Sequence, residues 1–286
     1  MTGVQTCALP ISAETAVAGS PTAGSAGAPW YLVFEDDGKA ASAKALSLVK
    51  KNALAAHNKT VADFLSRCTS NSGNPEFDDA VRWAQFHGWM LVTGDKTRGI
   101  WAGLPWFRDN WGRDTFIALP GILLASGLFD EARAVLLGFA RHQCTDRSKP
   151  EWGRIPNRYR NDTDVIYNTA DGTLWFIREV WEYLQYSRDM TILDELDPVL
   201  DLAFKADLSL RTDSRGFLLH ADADTWMDAR ISRNEPWSPR GDRANDIQAL
   251  WYTALRIGSK IAALRGRPEQ ARERAEAADR VRESFN

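Results

Sequence analysis

Asp114-Thr-Phe-Ile-Ala-Leu-Pro-Gly-Ile-Leu-Leu-Ala-Ser126 is the stretch that decides the fold, because apolar residues cover nearly all of its faces before Gly127 stops it. A helix that is apolar all round must be enclosed, as an inner ring is enclosed by an outer one. On either side of it, segments of helical period alternate with irregular loops. Residues 77–92 carry Val81, Trp83, Ala84, Phe86 and Trp89. Asp130 is a suitable N-cap for 131–143, where Val135, Leu136 and Phe139 share a face. Residues 169–186 place Leu174, Ile177, Trp181 and Leu184 at helical spacing. Asp189 caps a helix reaching about Leu208, and 246–265 and 268–285 read as two more. No series of strand patterns follows Pro75. Short turns between these helices favour antiparallel neighbours, so they should pair as hairpins. The expected fold is all-α: an incomplete (α/α)6 toroid of helical hairpins, with the long loops gathered at one mouth. A plain solenoid is the alternative, and the lack of a fixed-period repeat counts against it.

Upstream the character changes. Residues 1–12 (MTGVQTCALPIS) resemble the translation of a sequencing-library adapter, and 13–29 are Ala/Gly/Ser/Pro-rich like a flexible linker. Trp30-Tyr-Leu-Val-Phe34 reads as one short strand, and 40–68 as an alanine-rich helix that the cluster Ser70-Asn-Ser-Gly-Asn-Pro75 breaks. The expected organisation is adapter and linker over 1–29, the tail of an upstream domain over 30–74, and the first part of a truncated barrel over 75–286.

Composition excludes several classes. A chain of 286 residues can bury a sizeable core. Its net charge of −3 and pI near 5.9 leave no electrostatic footprint for nucleic acid. No apolar run approaches the ~20 residues that span a bilayer. Cys7, Cys68 and Cys144 show neither metal spacing nor pairing, as in a reducing compartment, and a cytoplasmic location is expected. No cofactor motif appears.

Tryptophan is the outlier, with 12 residues. Several sit in two segments, Trp106-Phe-Arg-Asp-Asn-Trp-Gly-Arg-Asp-Thr115 and Asp224-Thr-Trp-Met-Asp-Ala-Arg230, where carboxylates and guanidinium groups interleave with indoles. A pyranose offers an apolar C–H face and a rim of hydroxyls. Aromatic faces and bidentate charged groups match it, so these stretches read as walls of a sugar pocket.

The order of further motifs resembles a known family. Ala102-Gly-Leu-Pro-Trp-Phe107, Trp111-Gly-Arg-Asp-Thr-Phe116, Gly153-Arg-Ile-Pro-Asn157, Tyr167-Asn-Thr-Ala-Asp171, Leu174-Trp-Phe176, Thr225-Trp-Met-Asp-Ala229 and Ala249-Leu-Trp-Tyr252 follow one another as in glycogen debranching enzymes. The resemblance is to their amylo-α-1,6-glucosidase domain, which has a glucoamylase-like barrel, and it covers roughly residues 74–264. It implies removal of α-1,6-linked glucose at branch points of glycogen or related α-glucans, with inversion and without a cofactor. The implied partner is an α-glucan, with neither nucleic acid nor membrane involved.

Inverting hydrolysis needs two carboxyl groups ~6.5–9.5 Å apart, one to protonate the leaving oxygen and one to activate water. By resemblance Asp228 is the acid. Its neighbours Trp226 and Met227 are apolar and would keep a carboxyl protonated. On the residues alone, a cap or a salt bridge to Arg230 is an equal reading. Arg113 and Asp114 resemble the pair that grips the distal hydroxyls of the terminal glucose, and Trp106, Phe107, Trp111 and Trp226 would shape its platform. Asp109, Arg154, Asn157, Asn168, Asp171 and Arg240 complete the candidate contacts. The bland reading of Asp171 is an early-turn helix acid. The resemblance places the base on a glutamate beyond Asn286, so the chain alone is expected to hydrolyse little. It also departs from the family at Asn245-Asp246, where Val-Glu is usual.

Two alternatives come from other classes. One is a non-catalytic α-glucan-binding protein. The other is a sugar epimerase or isomerase on the same toroid, which would need paired histidines in the pocket; His57, His87, His142 and His220 all lie outside the aromatic-acid motifs.

Overall fold

A computed structural model describes residues 14–19, 30–35, 37–67, 70–93, 97–231 and 235–286. The adapter-like residues 1–12, with Cys7, and also Cys68 lie outside the described residues. Packing divides the chain into two units, 1–86 and 87–286.

In the first unit, β1 (Glu14–Gly19) and β2 (Trp30–Glu35) pair antiparallel, with Ala16 opposite Val33. β1 therefore occupies part of the segment that composition marks as linker. α1 (Gly38–Lys50) begins at Asp37, whose carboxylate accepts from the Ala40 amide at 3.0 Å. α2 (Ala53–Arg67) follows after a break that a continuous alanine-rich pattern hides. Asn52 sits at φ +47°, a left-handed position that asparagine tolerates and that ends a helix. α3 (Pro75–Trp89) starts where the 70–75 cluster predicts, with the Asn74 side chain accepting from Glu76 and Phe77 amides.

The second unit is an array of helical hairpins, as the pattern predicts. α4 (Gly112–Leu119) runs into a π-helical turn over Pro120–Leu124, where Pro120 has no amide to continue the α ladder. α5 (Phe129–Ala140), α6 (Asp171–Ser187) and α7 (Ile192–Ala206) follow, then α8 (Asn245–Leu264) and α9 (Pro268–Phe285). α4 packs on α6 and α6 on α8, while α5 packs on α7 and α9 on α8. Alternate helices thus form two layers. Large apolar side chains are buried between the layers, Phe116, Leu119, Phe176 and Trp251 from the inner helices and Phe139 and Phe204 from the outer ones, all under 2% exposed. Phe116 meets Phe139 and Phe176 edge to face at 4.8 and 5.6 Å, tying α4 to α5 and α6.

Some boundaries moved. Leu128, not Asp130, precedes α5, and Asp130 lies in its first turn. Asp189 caps the turn ahead of α7 by accepting from the Thr191 amide at 2.9 Å. Two-residue strands β3 (Asn110–Trp111), β4 (Arg158–Tyr159) and β5 (Val165–Ile166) form a small sheet that is too short to leave a period in the sequence.

Candidate active site

α4, α6 and α8 are each separated by one returning helix, so they run the same way and present their N-termini together. Loops 90–109, 141–170 and 212–244 precede them, and these loops together with the first turns of α4 and α6 and the short strand β3 carry the candidate side chains. Helix N-termini favour carboxylates. Asp114, Asp171 and Asp246 each lie in the first turn of one inner helix.

Arg113 stands at the centre. Its Nε and Nη2 donate to both carboxylate oxygens of Asp171, at 2.5 and 3.0 Å, and its Nη1 donates to Asp228 at 3.2 Å. The Asp171 side chain is 4% exposed and that of Asp228 is 45% exposed. One partner is therefore locked behind the guanidinium, while the other can be reached from solvent. Burial pulls the Arg113 pKa down. Hydrogen bonds and charge from Asp171, then Asp228, outweigh that and hold it above its ordinary value.

Asn157 supports this centre from below. It is 1% exposed; its Oδ1 accepts from the Arg113 amide at 3.4 Å and its Nδ2 donates to Asn168 at 3.1 Å. Its carbonyl accepts from the Gly112 amide at 2.6 Å. A Cβ at Gly112 would stand 2.7 Å from the Pro156 carbonyl oxygen, so only glycine permits this approach. Asn157 and Asp171 are thus both buried and both hold Arg113 in place.

Asp114 opens on the same mouth. Its carboxyl is held above the ordinary range by desolvation, opposed by Arg113 and reinforced by the charges of Asp228 and Asp171. The side chain nonetheless reaches solvent. Protein crowds it from the sides and leaves its tip open, as at the rim of a concavity.

The aromatic candidates differ in setting. Trp226 is 56% exposed, and the Arg240 guanidinium lies 5.5 Å from its ring centroid. Arg240 in turn grips Asp246 through Nη1 and Nη2 at 3.0 and 2.8 Å and donates to Thr225 Oγ1 at 3.3 Å. Desolvation pushes Asp246 up, but these bonds and the Arg240 charge bring it below its usual value. Trp106 and Phe107 are 83% and 63% exposed on a tight loop where Gly103 and Phe107 exchange backbone hydrogen bonds. Trp111 is half-buried, with Arg158 over its ring at 5.6 Å.

Two candidates are engaged elsewhere. Asp109 accepts from Arg160 at 2.8 and 2.7 Å, and those bonds hold its carboxyl below the ordinary range against desolvation. Arg154 donates to the Tyr167 carbonyl at 3.0 Å and to Asp224 at 3.3 Å. Neither Asp224 nor Thr225 is among the sugar contacts expected from the sequence. The one available signal was their place directly before Trp226 and Asp228.

Histidine chemistry finds no support here. His220 is 7% exposed, accepts at Nε2 from the Ala244 amide at 2.8 Å, and faces the Ala221 carbonyl with Nδ1 at 2.8 Å. Both ring nitrogens are engaged by the backbone. His142 lines a cavity of about 850 Å³ along α5 whose lining includes none of the candidate sugar-contact residues. Among the described residues, no group of three or more His, Cys, Asp or Glu could hold a metal ion, and no helix is long and apolar enough to cross a membrane.

The chain is similar to known proteins over most of its length. The family model described as amylo-alpha-1,6-glucosidase matches residues 60–286. The glycogen debranching enzyme of Saccharomyces cerevisiae (strain ATCC 204508 / S288c) is 37% identical over 98 residues, which is 33% of this chain and 6% of that protein. Among solved structures, a rhamnosidase from Klebsiella oxytoca with rhamnose bound matches with a TM-score of 0.53 and 20% identity. That match covers 76% of this chain and 39% of the other, and at such identity the likeness is one of fold. In each case the match spans well under half of the relative's length.

Proposed function

The chain belongs to the amylo-α-1,6-glucosidase family, and on that premise we propose that it carries the sugar-binding and proton-donating part of a glycoside hydrolase acting on α-1,6-linked glucose at α-glucan branch points. The observation that carries this reading is Arg113, fixed by buried Asp171 and facing accessible Asp228. A planar donor locked on one side and open on the other is suited to gripping vicinal hydroxyls of a terminal sugar. Asp114 supplies acceptors beside it, and Trp226 offers an indole face for the apolar side of a pyranose.

In this reading Asp228 is the proton donor. Hydrolysis of a glycosidic bond needs an acid able to reach the leaving oxygen, and Asp228 is the accessible carboxyl of the Arg113 pair. Sugar hydroxyls would take over the Arg113 Nη1 hydrogen bond, and the released Asp228 carboxyl would take a proton from solvent and pass it to the glycosidic oxygen. The base that activates water is outside this proposal.

Glucose release from a limit dextrin, by the protein that carries this chain, is the test. Release should be lost in Asp228→Asn, while binding of an α-1,6-branched oligosaccharide, followed by calorimetry, persists. Release at the original rate in that variant would remove Asp228 from its role. Binding with no release in the unaltered protein would favour a glucan-binding function instead.

A further inference from the structure

Asp228 lies at the end of a closed circuit of short links. The Ala170 amide donates to the Asp224 carbonyl at 2.8 Å, and Ala170 directly precedes Asp171. Asp171 holds Arg113, Arg113 holds Asp228, and only three residues separate Asp228 from Asp224. Those three have little slack. Thr225 is fully buried, and its hydroxyl accepts from the Met227 amide at 3.2 Å and from Arg240 at 3.3 Å.

The second hold on Asp224 comes from Arg154. With side-chain exposures of 12% and 16%, this is among the least exposed ion pairs around the mouth. Arg154 itself is pinned through its backbone, its carbonyl accepting from the Cys144 amide at 3.0 Å. Its Nη1 donates to the Tyr167 carbonyl at 3.0 Å, so one guanidinium ties the loop ahead of α6 to the loop carrying Asp228. Three arginines thus hold the segment 224–228, and each also grips the start of an inner helix or the loop leading into it: Arg113 at α6, Arg154 ahead of α6, and Arg240 at α8.

We propose that Arg154 and Asp224 are positioning residues that set where Asp228 stands relative to Arg113, acting through Thr225 without touching the sugar. This rests on the reading of Asp228 and Arg113 as site residues. Arg154 commits one hydrogen of each terminal nitrogen to the protein, and its side chain is only 12% exposed, so little of it is open to a ligand. Displacing the Asp224 anchor should move Trp226 and Asp228 together, since both belong to the same short, doubly held segment.

The experiment uses the chain labelled with 5-fluorotryptophan, with the Trp226 resonance assigned by Trp226→Phe. Arg154→Met and Asp224→Asn should each shift or broaden that resonance and leave the resonance of Trp251, fully buried in α8, in place. Each should weaken branched-oligosaccharide binding roughly five- to tenfold, and the double variant should bind no worse than the weaker single one. A purely structural pair would lower the melting temperature without moving the Trp226 signal, and that result overturns the proposal. So does additive loss in the double variant. Asp224→Asn keeps the shape of the side chain and stands in if Arg154→Met does not fold. If the unaltered chain binds no oligosaccharide, the parent reading falls, and the fluorine signal still decides whether the pair sets the segment.

Discussion

Arg113 and Asp171, 58 residues apart, meet through two parallel hydrogen bonds at 2.5 and 3.0 Å with both side chains nearly closed to solvent. A bidentate arginine–carboxylate pair fixes orientation as well as distance. Its consequence is that Arg113 enters the recess already aimed, so a ligand does not have to order it.

Removing that aim should be costly. Asp171→Asn leaves a mostly buried guanidinium with Asp228 as its remaining acid among the described contacts, and we expect a loss of roughly 2–4 kcal/mol in stability. Urea denaturation of the variant beside the unaltered chain measures it. Oligosaccharide affinity should fall as well. A variant with unchanged midpoint would mean that the pair is not structural.

Trp226 should behave in the opposite way. It is 56% exposed, so Trp226→Ala should change the melting temperature by little. If the indole is a sugar platform, the same change should cost roughly 1–2 kcal/mol of oligosaccharide binding. Equal affinity in calorimetry would assign the exposed ring some other use.

Glu179 predicts a pH dependence. It is fully buried on α6, one carboxylate oxygen accepts from Arg178 at 2.5 Å, and the other has no partner among the described atoms. Desolvation raises its pKa to about 8, against the pull of Arg178. Between the ordinary value of 4.5 and about 8 the folded chain keeps a proton that the unfolded chain has released. Stability contributed by this group is therefore intact below the lower value and falls as pH rises through that window. Glu179→Gln should flatten the profile and be more stable than the parent at pH near 8.5, by on the order of a few kcal/mol. Chemical denaturation at about pH 5 and 8.5 compares the two, and parallel profiles would sink the assignment.

Arg274 holds the α7, α8 and α9 packing. It is 4% exposed, donates to the Gly258 carbonyl at 3.1 Å and to Asp201 at 2.6 Å, and lies 4.3 Å from the Phe204 ring centroid. Arg274→Met keeps the stem but leaves the carbonyl without that donor, and we expect about 2–3 kcal/mol of destabilisation. Thermal unfolding should show it, with oligosaccharide affinity unaltered below the transition.

Gly112→Ala tests the close approach beneath the site. The added Cβ would meet a backbone oxygen, which cannot rotate away as a side chain can. The start of α4 must shift, and Arg113 with it, so oligosaccharide binding should weaken by about tenfold or more. Affinity equal to the parent's would show that the Gly112–Pro156 contact relaxes without moving Arg113.

Most helices of the second unit, and the loops that lead into them, are visible in local residue patterns. Apolar cover on 114–126, the period of 169–186 and the loops ahead of the inner helices were legible because each is a local pattern of residues a few positions apart. The aromatic-acid motifs named the family for the same reason. Only the tertiary structure decided who pairs with whom. Asp109 belongs to Arg160, Arg154 to Asp224, and Arg113 to both Asp171 and Asp228, the last across 115 residues. A charged side chain reads the same in sequence whether its partner is a sugar, a neighbour or water. Those choices are made by the packing of α4 on α6 and α6 on α8, which brings distant loops within a hydrogen bond of one another.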